Sequence, residues 1–371
     1  MNITKQYSAL EFCGSIGMKP KEEGQEEMIE NRAAKTASAT PRSQLMKMSM
    51  AYGVSRLLHV AATLNLADCL ADGPRTAEEL SGPTGTHAPS LYRVMRALCD
   101  LGLFVEDKAH RFSLTPLSEP LKSGVPGSYK ATVLMLTGDL FCRSMDNLLY
   151  SVQTGKTGFE QAFGVPFFDW LEGHPEQASM FSQTMVGYHG AEHKAVVSAY
   201  DFSELDTIVD VGGATGNFLT AILGYYGEPR GVLFDMPHVV CDAPALIRSR
   251  GLQDRIRIES GSFFDRVPVG GDAYLLSQIV HDWEEGQCLA VLGNCRNAMK
   301  PSGRLLVVER VLPSCGMRHP SKRLDISMLV LTGGQERTEQ EYRELLAKAG
   351  FRLSKVVPTE STVSVIEAFP V

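Results

Sequence analysis

Residues 207–236 read TIVDVGGATGNFLTAILGYYGEPRGVLFDM. A β-branched run, Thr207 to Val211, enters a glycine cluster, Gly212-Gly213-Ala214-Thr215-Gly216. An amphipathic segment follows, and then a second apolar run that ends in Asp235. The order is strand, glycine loop, helix, strand, acid. The acid lies about 20 residues past the glycines, the place where a nucleoside ribose needs a carboxylate.

The glycine spacing narrows the ligand. A dinucleotide fingerprint needs glycines at i, i+2 and i+5, and here they stand at 212, 213 and 216. A P-loop closes on Gly-Lys-Ser/Thr, and Asn217 follows the last glycine instead. What remains is a bend that lets a ligand come close because Cβ atoms are missing. Two carboxylates flank it, Asp210 and Asp235. They suit a ligand with hydroxyls and a cationic amine better than a polyphosphate, and S-adenosylmethionine has both. The plainer reading is a tight βα turn with no ligand.

From residue 201 onward strand and helix alternate. Strands are expected near 207–211, 231–235, 255–259, 272–276, 304–309, 351–357 and 362–368, with helices between the first five and near 338–349. That pattern predicts an α/β domain with a doubly wound, mostly parallel sheet. The last two strands flank Pro358-Thr359-Glu360-Ser361. This link is too short for a parallel crossover, so they should form an antiparallel C-terminal hairpin.

The 371 residues favour two domains, and a 44% hydrophobic fraction is enough for ordinary cores. The net charge of -7 argues against nucleic acid or anionic membrane as main partners. Cysteines at 13, 69, 99, 142, 241, 288, 295 and 315 form no C-x-x-C pair and read as buried free thiols of a reducing compartment. MNITKQYSALEF at the start lacks an apolar signal core, and no run approaches 18 apolar residues, so a cytoplasmic protein is expected.

Residues 1–42 read as a mobile tail: Lys19 to Thr40 is charged, rich in small residues and poor in aromatics. Residues 43–200 read as mainly helical. Leu45, Met48, Tyr52, Leu57, Val60, Ala61 and Leu64 fall near helical spacing, predicting one helix over about 45–62. Thr76-Ala77-Glu78-Glu79 marks a helix start, and Leu91 to Leu103 predicts another helix. Phe104–Asp107 and Arg111–Leu114 look like short strands about a turn. Helix, helix, hairpin is a winged-helix pattern. Between Thr76 and Leu121, however, four Lys/Arg stand against six Asp/Glu, the wrong sign for a phosphate-contacting surface. Dimerisation and substrate capping fit this segment better than DNA binding. Residues 130–200 carry a heavy aromatic load, including Phe141, Phe159, Phe163, Phe167, Phe168, Trp170 and Phe181, part core and part candidate pocket.

The catalytic candidates lie past the strand ends, where open α/β sheets bind ligands. The fourth strand of the series runs through Ser277 into His281-Asp282-Trp283. The fifth ends at Glu309, and Glu336 sits in the loop Gly333-Gly334-Gln335-Glu336. One histidine between two carboxylates is the layout of an oriented general base. The alternative is a histidine that buttresses a loop. His189 and His193 share a helix face, but without a third ligand they read as a solvated or pocket-edge pair and no metal is expected.

Taken together, DVGGATG, LFDMPHVV, GSFF, the strand into HDW, NCRNAMKPSGRLLVVERVLP and GGQERTEQEY resemble the small-molecule S-adenosylmethionine-dependent O-methyltransferases. That group includes caffeate and hydroxyindole O-methyltransferases and many bacterial antibiotic-pathway enzymes. The resemblance covers roughly residues 43–371. It implies a winged-helix-like part that builds a homodimer, and a cofactor-binding catalytic part over 201–371. It implies that Gly212, Gly213 and Gly216 wrap the methionine portion of the cofactor beside Asp210. Asp235 would take the ribose hydroxyls, with Met236 next to it, and Ser262 and Phe263 would stand at the adenine. His281 would deprotonate the acceptor hydroxyl, bracketed by Glu309 and Glu336. Phe168, Phe181, Met185, Asp282 and Met328 would line a pocket for an aromatic small molecule.

Two positions depart from the family pattern. The adenine-side motif is usually Gly-Asp-Phe/Met, and here it is Gly261-Ser262-Phe263. Plant members often carry a lysine four residues before the histidine, where this chain has Ser277. These changes keep one rival in view, an enzyme of the same fold that binds the cofactor but hydroxylates, decarboxylates or closes rings. A winged-helix DNA-binding regulator is the remoter alternative.

Overall fold

The computed structural model describes residues 40–125 and 127–371, so all but the last three residues of the expected tail lie outside the described residues. The described residues divide into two units, with the boundary between Val54 and Ser55. In the first, Thr40 caps the helix Pro41–Ser49, its hydroxyl accepting from the Ser43 amide at 3.2 Å. A second helix, Ala51–Thr63, starts there, so the single helix expected over 45–62 is interrupted at Met50. Leu45, Met46, Met48, Met50 and Tyr52 are all exposed.

In the second unit, Thr76 and Glu79 form the reciprocal cap that their spacing predicts and start the helix Ala77–Thr84. The helix Ala88–Asp100 follows, and the chain turns at Gly102, whose φ of 76° is open to glycine at little cost. Strands β1 (Phe104–Glu106) and β2 (Phe112–Leu114) pair antiparallel as the wing. Leu80, Leu91, Met95, Leu98, Phe104 and Phe112 close a core beneath it.

The sheet has seven strands in the order β10-β11-β7-β6-β3-β4-β5. These are β3 (Thr207–Val211), β4 (Arg230–Asp235), β5 (Ile256–Ser260), β6 (Ala273–Ser277), β7 (Arg304–Glu309), β10 (Phe351–Pro358) and β11 (Ser364–Pro370). Strands β3 to β7 run parallel, while β11 is antiparallel to both β7 and β10. Two residues each from β8 (Val311–Leu312) and β9 (Arg337–Thr338) make a separate parallel pair. Both faces of the large sheet are buried. Ile208, Leu233, Leu275 and Leu306 pack on one side, and Val209, Val232, Tyr274 and Val307 on the other. This explains the near-continuous apolar runs.

One sequence expectation fails here. No helix joins β5 to β6; residues 261–272 cross irregularly. The segment contains Pro268, Gly270 and Gly271, which disfavour a helix, and Asn294 fixes it by donating to the Phe263 and Phe264 carbonyls, both at 2.9 Å. The described cysteines are all unpaired, but Cys241 and Cys315 are exposed, so the buried-thiol reading holds for Cys288 and Cys295. No helix among the described residues is long and apolar enough to cross a membrane.

The strand order reverses between β3 and β6. The chain builds β4 and β5 on one side of β3, then returns to place β6 and β7 on the other. Loops leaving β3 and β6 therefore diverge and open a crevice at the carboxyl edge of the sheet.

Candidate active site

The glycine loop after β3 forms one wall of that crevice. Gly212, Ala214 and Gly216 all have left-handed backbones, with φ of 72°, 51° and 84°. The Gly212 amide bonds the Phe234 carbonyl at 2.8 Å and ties the bend to the end of β4. Asp235, the last residue of β4, accepts from the Ala214 amide at 2.8 Å and from the Met236 amide at 2.7 Å. Asp210 is 1% exposed, and its Oδ2 has no hydrogen-bond partner among the described residues. Burial and then the charge of Asp235 push Asp210 up to about 7. Burial also raises Asp235, against the two amides.

A Cβ on Gly213 would stand 2.5 Å from that Asp210 oxygen. On Gly212 it would meet Ile279 Cδ1 at 2.4 Å and Phe263 Cε1 at 3.6 Å. Ser262 turns its hydroxyl inward to accept the Phe264 amide at 3.2 Å. Ser277 closes β6 half-buried, and Gln278 after it has a φ of 57°. Left-handed non-glycine residues such as Ala214 and Gln278 are sparse, and they gather at functional sites. One buried carboxylate with an unused oxygen and one half-buried at the strand end suit a ligand with a cation and hydroxyls, and a backbone without side-chain bulk admits a flat nucleoside. These residues fit S-adenosylmethionine, whose ammonium, sulfonium and ribose hydroxyls meet those demands.

The opposite wall carries His281, in the one-turn 3-10 helix Val280–Asp282 after β6. Its Nδ1 lies 3.0 Å from Glu336 Oε1. A carboxylate can only accept, so in the neutral ring Nδ1 carries the proton and Nε2 is the basic nitrogen. Asp282 Oδ1 stands 3.7 Å from Nε2. Burial draws the imidazole down, but the charges of Asp282, Glu336 and Glu309 outweigh it, and the ring is pushed up to about 9. Burial raises Asp282 to about 6 despite the nearby ring. Glu309 ends β7 fully buried and does not touch the imidazole. Its Oε1 accepts the Ile279 amide at 3.1 Å and the His281 amide at 3.0 Å, and Tyr342 donates to Oε2. Of the two acids placed beside His281 by sequence, Glu336 reaches the ring and Glu309 holds the backbone.

Trp283 joins the two walls and was not among the sequence candidates. Its ring packs on Phe264 at 4.8 Å and Phe263 at 5.9 Å on one side, and on Phe168 at 5.1 Å on the other. Phe168 continues to Phe181 at 6.4 Å. On the helix Pro175–Ala199, Phe181, Met185, His189 and Glu192 recur every three to four residues and share one stripe. Met328 lies half-buried one turn before Leu331, which packs into the same aromatic cluster.

Glu192 fastens that stripe to the sheet edge. It takes Arg310 at 2.8 Å, Thr362 at 2.7 Å, His189 at 2.6 Å and Gln278 at 3.4 Å. This network needs three distant segments and has no local sequence signal. His193 is half-buried: it stacks on Phe218 at 4.6 Å, and burial first, then His189, lowers it to about 4. Among the described residues no group of three His, Cys, Asp or Glu could hold a metal.

Known proteins share this architecture. A family model of the O-methyltransferase domain matches residues 145–352, and one of the O-methyltransferase dimerisation domain matches residues 46–123. Phenazine O-methyltransferase of Lysobacter antibioticus is 43% identical, over 93% of this chain and all of that protein. An 8-amino-8-demethylriboflavin N,N-dimethyltransferase of Streptomyces davaonensis is 32% identical, over 88% of this chain and 95% of its own. An O-methyltransferase from neocarzinostatin biosynthesis, solved with S-adenosylmethionine and 2-hydroxy-5-methyl naphthoic acid, superposes with a TM-score of 0.77. It is 31% identical and covers 86% of this chain and 96% of its own. The crevice at the strand reversal, the paired aspartates and these matches agree: the chain belongs to the S-adenosylmethionine-dependent O-methyltransferase family.

Proposed function

We propose that this enzyme methylates a phenolic or enolic hydroxyl on a planar aromatic metabolite of a secondary pathway, with His281 as general base. The observation that carries this reading is the imidazole itself, held at Nδ1 by Glu336, with Asp282 3.7 Å from Nε2 and Trp283, two residues on, packed against Phe168. When bound, S-adenosylmethionine supplies an electrophilic methyl group on a sulfonium.

The chain's own work is alignment and proton removal. Asp210, Asp235, Met236, Ser262, Phe263 and Ser277 with the glycine loop hold the cofactor. Phe168, Phe181, Met185, Asp282 and Met328 hold the acceptor ring. His281 Nε2 takes the hydroxyl proton, and Glu336 stabilises the imidazolium through Nδ1. Glu309 keeps the loop in place from behind. Alignment of two reactants is worth up to ~7–11 kcal/mol, and a positioned base ~10²–10⁴-fold.

Residues 201–371 form the cofactor-binding part and residues 43–200 the dimerisation and capping part of a cytoplasmic homodimer. The match to a dimerisation domain supports this, as do the exposed Leu45, Met46, Met48, Met50 and Tyr52. The relatives named above act on phenazine and riboflavin-type rings, which supports a flat aromatic acceptor.

The riboflavin relative methylates nitrogen, so the test must separate the two atoms. Purified enzyme is incubated with S-adenosylmethionine bearing a deuterated methyl group and a panel of aromatic phenols and amines. Products are read by mass spectrometry. The expected result is label on phenols, retained by their isolated methyl ethers. Label on amines alone would replace the hydroxyl reading with N-methylation.

A further inference from the structure

The segment 279–283 carries the reactive imidazole, and its backbone is gripped from two sides. On one side Glu309 takes the amides of Ile279 and His281. On the other lies Arg337, a guanidinium only 2% exposed. Its Nη1 donates to the Val280 carbonyl at 3.1 Å and to the Gln335 carbonyl at 3.2 Å. Its Nη2 points to the Trp283 carbonyl at 3.4 Å. Cys288 Sγ lies 3.2 Å from both the Val280 and the Trp283 carbonyls, and its one S–H donates to this pair. The β8–β9 pair anchors Arg337 to Val311, just past the end of β7.

Neighbouring Gly334 lies against the same segment. A Cβ there would stand 1.9 Å from the His281 carbonyl oxygen and 2.7 Å from the Trp283 amide nitrogen. The loop can lie this close only because residue 334 has no side chain. A buried guanidinium is costly to desolvate, and an apolar residue could fill the volume at less cost. Its value must lie in what it fixes. Glu336 holds the imidazole ring and Arg337, the next residue, holds the backbone that carries the ring. One rigid loop thus sets both ends of the same side chain.

We propose that Arg337, seated by Gly334, is a positioning residue that clamps the His281 backbone so that the ring stays on Glu336. This rests on the reading of His281 as general base. The clamp makes the Nδ1–H of His281 a protected proton, because losing it requires the ring and Glu336 to part.

The exchange measurement needs no acceptor. Protein labelled with ¹⁵N at histidine and saturated with S-adenosylhomocysteine is observed by proton–nitrogen NMR. His281→Gln assigns the Nδ1–H signal by its disappearance. Arg337→Met is expected to speed solvent exchange of that proton by about tenfold or more, since one buried anchor of a local opening is lost. Arg337→Lys keeps the charge but lacks the rigid fork that sets two nitrogens against the Val280 and Trp283 carbonyls, and should fall between that variant and wild type. Gly334→Ala forces the loop away with the guanidinium present and should also speed exchange. If Arg337→Met does not fold, the other two variants decide.

Exchange at the wild-type rate in the folded variants would overturn the clamp. Turnover of His281→Gln separates the clamp from the reading beneath it. An inactive His281→Gln with unchanged exchange in Arg337→Met retires only the clamp. An active His281→Gln removes the general base itself and, with it, the clamp's catalytic purpose.

Discussion

Replacing His281 with Gln should lower turnover by at least ~10²-fold, the lower range of a positioned general base, and leave S-adenosylhomocysteine affinity within about threefold, under ~1 kcal/mol. Glutamine keeps a polar group of similar reach but cannot take a proton at neutral pH. The ring lies on the loop after β6, whereas Asp210 and Asp235 belong to the ends of β3 and β4, so the cofactor cradle does not depend on it. Calorimetry with S-adenosylhomocysteine and steady-state rates on one preparation make the comparison. A rate near wild type would remove His281 from the chemistry. Loss of both rate and affinity would point to a collapsed loop instead.

Gly213→Ala should have the next largest effect, on cofactor binding. The added methyl would stand 2.5 Å from Asp210 Oδ2 and 2.6 Å from Leu233 Cδ1. Neither neighbour can yield easily, since Leu233 and Asp210 are both buried in parallel strands. The loop must move instead, and the Ala214 amide that bonds Asp235 moves with it. Overpacking of this kind costs about 1–3 kcal/mol, which corresponds to ~10–10²-fold in S-adenosylhomocysteine affinity if the cost falls on the loop. Thermal melting with and without ligand checks where it falls. An apo melting temperature close to wild type with weakened binding locates it in the loop. Unchanged affinity would show that the cradle lies elsewhere.

The sheet was legible because its signals are local. Apolar runs bounded by glycine and proline mark each parallel strand, and the short Pro358–Ser361 link dictates an antiparallel return. The Thr76 cap and the hairpin of the wing follow from spacing alone. The missing helix between β5 and β6 shows where alternation misleads: periodicity implies a crossover without saying what it is made of.

In the site, the sequence set two acids beside His281: Glu309, which ends a strand at the edge past which the histidine lies, and Glu336 in the loop before the next helix. The separate task of Glu309 could not be read. Its first oxygen accepts from two backbone amides, and its second accepts from the Tyr342 hydroxyl, 33 residues on. Trp283 was visible next to the histidine, yet its role as a bridge depends on Phe168, whose position is set by tertiary packing. Arg337 and the Glu192 network likewise join segments far apart in the chain.

The central claim, that His281 takes the proton, is tested most directly by the pH dependence of kcat/KM. The acceptor should be a simple phenol whose own hydroxyl ionises near pH 10, about where an unperturbed phenol does. The raised imidazole is protonated below about 9 in the free enzyme, and only its neutral form can act as base. The account therefore predicts that kcat/KM climbs about tenfold per pH unit through the neutral range and levels toward about 9. In His281→Gln this rise should disappear. A wild-type profile that stays flat from neutral pH to about 9, or the same break in His281→Gln, would contradict it.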